Sequence, residues 1–150
     1  MISIDEIMTT ELRTLSPADS VYDARLLMKE HGIRHVPVVD KNSKLVGVIT
    51  LSDVLAASES SLIDKNDTAR IEIERDHLVS EAMTASVETI DENDNIRVAA
   101  LHLLDTKHGC LPVTRDGKLV GIITDSDFVG VAVNLMEIID QQILDEDAFN

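Results

Sequence analysis

The chain writes one short segment twice. Near residue 47 it reads GVITLSD, and near residue 121 it reads GIITDSD. Other positions repeat with it. Met8-Thr9 matches Met83-Thr84, Thr14-Leu15 matches Thr89-Ile90, and Pro37 matches Pro112, all 75 residues apart. Val46-Gly47 and Val120-Gly121 are 74 apart, as are Thr50 and Asp53 from Thr124 and Asp127, so one residue is lost in an intervening turn. This repeat constrains the fold more than any local pattern, because each unit is too small to bury a good core alone. Two units packed through their sheets around a pseudo-twofold axis solve that problem. The repeat divides the chain into a first unit (1–57), a polar connector (58–75), a second unit (76–140) and an acidic end (141–150).

Within each unit the local signals run in one order. An extended arm comes first. In the first unit Asp19 or Ser20 can cap a helix whose apolar positions Val21, Ala24, Leu27 and Met28 have helical spacing, with Gly32 suited to its left-handed end. In the second unit Asp94 or Asn95 can start a helix carrying Ile96, Ala99, Ala100, Leu103 and Leu104. A hairpin follows: HVPVV and LVGVIT in one unit, CLPVT and LVGIIT in the other, the latter joined through Asp116-Gly117. Each hairpin runs into a second helix near Ser52 and Ser126. The last helix, FVGVAVNLMEIIDQQIL, is apolar on more than one face, which calls for cover by another element or subunit.

Composition narrows the function. With 13 basic against 28 acidic residues the formal charge is −15, which opposes a nucleic-acid backbone or an anionic membrane as the main partner. Aromatic residues make up only 2%, so the core is aliphatic. A single cysteine allows no internal disulfide, and the start Ile-Ser-Ile-Asp-Glu after Met1 has no leader pattern, so a cytoplasmic protein is the expectation. No GxSxG, HExxH, Walker loop or Gly-rich dinucleotide fingerprint is present, and no nucleophile with its base, so the reading is not an enzyme.

The doubled Thr-x-x-Asp has two readings. Thr50-x-x-Asp53 lies where a strand becomes a helix, and there it forms the pattern of a capping box. The same geometry makes an anion site, because a helix start offers free amides and a hydroxyl to a phosphate. A carboxylate one turn away can accept hydrogen bonds from the two vicinal hydroxyls of a ribose. Gly47 and Gly121 lie inside strands, where glycine normally weakens pairing, so close approach by a ligand or another backbone is required there.

Two units of this layout, each with a G-h-x-x-h-P segment (GIRHVP and HGCLPV) and an hGhhT-x-x-D ending, resemble a tandem pair of CBS domains, a Bateman module. The resemblance covers residues 1–57 and 76–140. It implies an α/β fold of two βαββα motifs packed through their sheets, with two clefts between them. Such modules bind adenosine ligands (AMP, ADP, ATP, in some cases S-adenosylmethionine), act as sensors for a separate protein and pair into dimers. Carried onto this chain, it implies a first cleft of Thr14, Leu15, Ile33, Arg34, His35, Pro37, Thr50 and Asp53. The second would use Thr89, Ile90, His108, Gly109, Cys110, Pro112, Thr124 and Asp127. Thr and Asp would hold phosphate and ribose, and the earlier segments the base.

The chain departs from the family where a basic residue often precedes the final Asp. Here Ser52 and Ser126 stand, and the second unit adds Asp125 where the first has Leu51. Arg34 and His35, or Lys107, His108 and Arg97, can compensate, and the first unit, with Arg34 and no extra acid, is the favoured site. The leading expectation is an adenosine-nucleotide sensor, homodimeric, with no tightly bound metal and an unidentified regulated partner. The alternatives are a structural or dimerisation module with empty clefts, and a sensor of S-adenosylmethionine or Mg²⁺. Cys110 reads as a buried, inert thiol, His102 as a hydrogen-bonded structural residue, and the acids at 91, 92 and 94 as a helix-start cluster.

Overall fold

The computed structural model describes residues 2–58, 67–106 and 109–149. In chain order the elements are α1 (Ile4–Ile7), α2 (Val21–His31), β1 (His35–Val39), β2 (Leu45–Thr50), α3 (Leu51–Ser58), α4 (Asp67–Asp76), α5 (Val79–Ala82), β3 (Thr84–Ala85), β4 (Ile90–Asp91), α6 (Ile96–Asp105), β5 (Cys110–Arg115), β6 (Lys118–Thr124) and α7 (Asp125–Ala148). Local chemistry sets the element ends. Ser20 caps α2 in a capping box with Asp23, and Gly32 closes that helix at φ 62°. Asn95 caps α6 through the amide of Arg97. Asp116 and Gly117 both have positive φ, the backbone that lets two antiparallel strands turn in two residues.

There are two three-stranded sheets, β1-β2-β3 and β4-β5-β6. The hairpins are equivalent: His35 faces Thr50 as Cys110 faces Thr124, and Pro37 faces Val48 as Pro112 faces Ile122. The third strands are also equivalent once single bridges are included. Ile90 pairs in parallel with Val113, and Leu15 bridges Val38 in the same sense. Thr84 pairs antiparallel with Val48, and Thr9 bridges Ile122 in the same sense.

That last pair shows an exchange. The arm before the first unit is seated on the second unit's β6, with both Thr9 N–H to Ile122 C=O and the reverse formed at 2.9 and 3.0 Å. The arm before the second unit is seated on the first unit's β2. The cores carry the same signature. Ile4 is fully buried with Ile90, Ala99, Leu111 and Ile123, whereas Val79 is buried with Val21, Val36, Ile49 and Val54. Val48, Cys110 and Ile122 form the buried seam between the sheets.

The exchange accounts for the strand glycines. A Cβ on Gly47 would lie 2.7 Å from both the Met83 sulfur and the Thr84 carbonyl. A Cβ on Gly121 would collide with the Met8 sulfur and lie 3.2 Å from the Thr9 carbonyl. The close approach is therefore that of the other unit's arm, and the repeated Met belongs to the same device as the repeated Gly.

Two segments do more than their sequence announces. In the region read as a connector, residues 59–66 lie outside the described residues, but α4 packs on α2 and α3. Its Glu74 is fully buried, receiving hydrogen bonds from Arg25 Nε at 2.6 Å and Ser58 Oγ at 2.7 Å. The acidic end continues α7 to Ala148, exposed and helical. No residue of α7 is buried, and Val129, Met136 and Leu144 are each more than 60% exposed. No helix among the described residues is long and apolar enough to cross a membrane.

Candidate functional site

Each strand-to-helix junction forms the capping box that its spacing predicts. The Thr50 amide donates to Asp53 Oδ2 at 2.8 Å, and the Asp53 amide donates to Thr50 Oγ1 at 3.2 Å. At the other junction the Thr124 amide donates to Asp127 Oδ2 at 2.8 Å. Only Oδ2 of each carboxylate is engaged in these bonds, which leaves Oδ1 as an acceptor for a ligand. The capping role and a ligand role thus use different oxygens.

Two cavities open between the units, and each draws on both. The larger, about 670 Å³, is lined by Ile33, Arg34, His35 and Pro37 from the first unit and by Thr124, Asp125 and Asp127 from the second. Its remaining wall is the exchanged arm, with Glu11 and Arg13. The smaller, about 230 Å³, joins Thr50 of the first unit to Cys110, His102 and Thr106 of the second, with Thr84, Ser86 and Glu88 from the other arm. The grouping therefore differs from the one expected within each unit. The segment GIRHVP faces the second unit's Thr-x-x-Asp, because packing sheet on sheet turns each hairpin toward its pseudo-symmetric partner. Arg34 and Asp125, assigned from sequence to different clefts, line the same one.

The remaining sequence-predicted residues fall as follows. Leu15 and Ile90 are buried core residues, and Pro112 is buried in β5. Thr14 is exposed, and Thr89 lines a third, shallow cavity of about 200 Å³. Asp53 caps α3 without lining either main cavity. His108 and the neighbouring Lys107 lie outside the described residues. Gly109 has φ 63°, and a Cβ there would lie 3.4 Å from Asp125 Oδ2 of its own unit and 3.5 Å from His35 Nε2 of the first unit.

Sequence reasoning missed the arm residues Glu11, Arg13, Ser86 and Glu88. The signal existed, since residues 11 and 13 stand 75 before 86 and 88, but only the exchange carries them to the clefts. His102, read as structural, pairs through Nδ1 with Glu88 Oε2 at 3.1 Å and lines the smaller cavity. Burial, then the charges of Asp125 and Asp127, pushes the Cys110 thiol up to about 12, so it stays protonated and inert. Among the described residues no group of His, Cys, Asp and Glu is arranged to hold a metal ion.

Two α/β units with exchanged arms, packed sheet to sheet, with Thr50 and Thr124 at the two helix starts each lining a cavity, define the Bateman-type architecture. The CBS domain family profile matches residues 4–60 and 79–134, and the chain belongs to that family as a tandem CBS pair. A CBS domain-containing protein of Dictyostelium discoideum is 30% identical over 138 residues, 91% of this chain and 94% of that one. The Vibrio cholerae AcuB structure superposes with a TM-score of 0.77 at 38% identity, covering 94% of this chain and 97% of that one. The structure of CBSX2 in complex with AMP superposes at 0.75 with 33% identity, covering 89% and 98%.

Proposed function

We propose that this chain is a regulatory module that binds an adenosine nucleotide between its two CBS motifs and passes the event to a separate protein. The observation that carries the reading is the lining of the larger cavity. Arg13 and Arg34 supply positive charge, the start of α7 supplies the positive end of a helix dipole, and Asp127 keeps one oxygen for a ribose. AMP in the CBSX2 complex supports the same ligand class. Because every wall of this cavity comes from a different unit or arm, an occupant favours one packing of the units over another, which is what a sensor requires.

The reading extends to assembly. The exposed apolar residues of α6 and α7, among them Leu104, Val129 and Met136, form the surface through which two copies would pair, and the regulated partner would read that pairing. Empty clefts in a purely dimerising module are the competing reading, favoured by Asp125 beside the proposed phosphate.

A thermal-shift and calorimetry panel with AMP, ADP, ATP and S-adenosylmethionine tests the proposal. At least one nucleotide raises the melting temperature, Arg34→Ala abolishes the rise, and Asp125→Leu tightens binding about fivefold, the effect of one unit charge at contact distance under strong screening, ~1 kcal/mol. If none of the four ligands shifts the transition at millimolar concentration, the sensor reading fails.

A further inference from the structure

The helix α7 packs on α1, α6 and β6, with Phe128 against the core of the second unit. From Val133 to Phe149 every residue is exposed. A helical segment of that length is marginal in water, where helices draw most of their stability from packing an apolar face. Such a face is present. Ile139 and Ile143 continue the line of Met136 at helical spacing, with Leu144 beside them, and each of the four is more than half exposed.

Charge identifies what fits that face. The helix carries seven acidic residues and no basic one, and no Lys, Arg or His follows Lys118 in the sequence. By helical spacing Asp140 and Asp147 border the apolar line on one side and Glu146 on the other. Asp145, Glu146 and Asp147 also crowd the last turn, the negative end of the helix dipole, where acids oppose the helix and cations support it. A second copy does not relieve this. A parallel copy sets the same acids side by side. An antiparallel copy brings Asp125 and Asp127 to them in full overlap, or Glu137 and Asp140 where only the distal halves overlap. The helices packed against α7 add little positive charge: α1 carries Asp5 and Glu6, and α6 carries Asp105, Arg97 and a His102 engaged with Glu88.

We infer that the distal half of α7, from Glu137 to Ala148, is a docking surface for a basic amphipathic helix of another protein. Apolar side chains of that helix cover Ile139 and Ile143, and its Lys or Arg side chains reach the bordering acids and the last turn. The formal charge of the whole chain, −15, favours the same encounter at long range. The inference rests on α7 alone and holds whether or not the larger cavity takes a nucleotide. Leu104 and Val129 lie outside this surface.

Fluorescence anisotropy tests it with two labelled amphipathic peptides, the basic LKKLLKLLKKLLKL and its acidic counterpart LEELLELLEELLEL. The full chain binds the basic peptide at least tenfold tighter than the acidic one. The triple variant Asp140→Asn, Glu146→Gln, Asp147→Asn weakens the basic peptide at least fivefold, and Ile139→Ser does the same. A control variant, Glu30→Gln, Glu72→Gln, Asp76→Asn, removes the same charge from α2 and α4 and changes the Kd less than twofold. All these side chains are exposed, so the folded body is kept. Removing acids from the last turn strengthens the free helix, so weaker peptide binding by the triple variant is not a lost helix. The inference is overturned if the acidic peptide binds as tightly as the basic one, or if the control variant weakens binding as much as the α7 variant. It is also overturned if light scattering shows the unaltered chain self-associated and Ile139→Ser dissociates it, which makes a second copy the occupant. A nucleotide panel that fails leaves each of these readouts in place.

Discussion

Gly121→Ala and Gly47→Ala should differ in a way that only the exchanged arms explain. Both substitutions put a methyl group where an arm crosses a strand. At Gly121 the methyl meets the Met8 side chain first, and the Thr9 carbonyl at 3.2 Å can absorb the contact with a small shift. At Gly47 it meets Met83 and also the Thr84 carbonyl at 2.7 Å, and that backbone is held by the pairing of Val48 with Thr84. Overpacking of this kind costs about 1–3 kcal/mol. Replacing a strand glycine recovers about 0.5–1 kcal/mol of backbone entropy. The net loss is then about 1 kcal/mol at Gly121 and about 2 kcal/mol at Gly47, or roughly 2–4 °C in Tm per kcal/mol for a chain of this size. Urea unfolding of a double-mutant cycle reads the cause. Met8→Ala removes the side chain that Gly121→Ala strikes, so the pair couples by about 1 kcal/mol in the compensating direction. Met83→Ala leaves the Thr84 carbonyl in place, so Gly47→Ala remains costly in that background. If Gly121→Ala costs the same with and without Met8, the close approach is not what requires glycine, and the argument for the arms fails.

Two further outcomes are expected. Glu74→Gln leaves Arg25 facing a neutral amide in a buried setting and lowers the unfolding free energy by about 3 kcal/mol, measured by urea denaturation; a loss under 0.5 kcal/mol would show that α4 is only a tether. The Cys110 thiol holds its proton more tightly folded than unfolded, so the folded chain binds the extra proton between the unfolded value of 9.0 and the folded value of about 12. Stability from this group is complete below pH 9 and falls by at most about 1.4 kcal/mol per pH unit above it. Cys110→Ala flattens that part of the stability profile, and a profile identical to that of the unaltered protein would refute the assignment.

The parts of the fold that local chemistry determines were legible in the chain itself. The cap at Ser20, the left-handed Gly32, the Asp116-Gly117 turn and both hairpins each depend on a few neighbouring residues. The repeat then gave the pseudo-twofold pairing of units. The exchange was not legible, because a Met-Thr arm of two residues carries no strand signal and its partner lies more than 100 residues away for Thr9 and Ile122. The lining of the larger cavity was legible as residue types, not as a constellation. Thr124, Asp127, Ile33, Arg34, His35 and Pro37 do line one cavity, but they come from opposite units. Glu74 was hidden for another reason: in DTARIEIERD a charged residue is the ordinary sign of a solvated face, and the Arg25 and Ser58 partners, 49 and 16 residues distant, join Arg70 of the same helix to make its burial tolerable.

The contrast between Leu51 and Asp125 gains a different meaning from this geometry. Taken unit by unit, Asp125 marks the second unit as the poorer phosphate site. In the structure it shares its cavity with Arg34 and with the arm residue Arg13, so the extra acid is placed among the cations that the first unit contributes. Arg34 and Asp125 thus line one cavity from opposite units, and on the proposed function a phosphate drawn to Arg34 would arrive beside Asp125. On that function the carboxylate weakens phosphate binding. Asp125 begins α7, and Val129 of the same helix lines the cavity one turn on. The helix runs for 24 residues in all, about 36 Å, with Val129, Met136, Ile139 and Leu144 exposed along it. On the proposed function, Asp125 and the surface offered to a partner lie on one helix, so a shift at its first turn is carried along that helix to the partner.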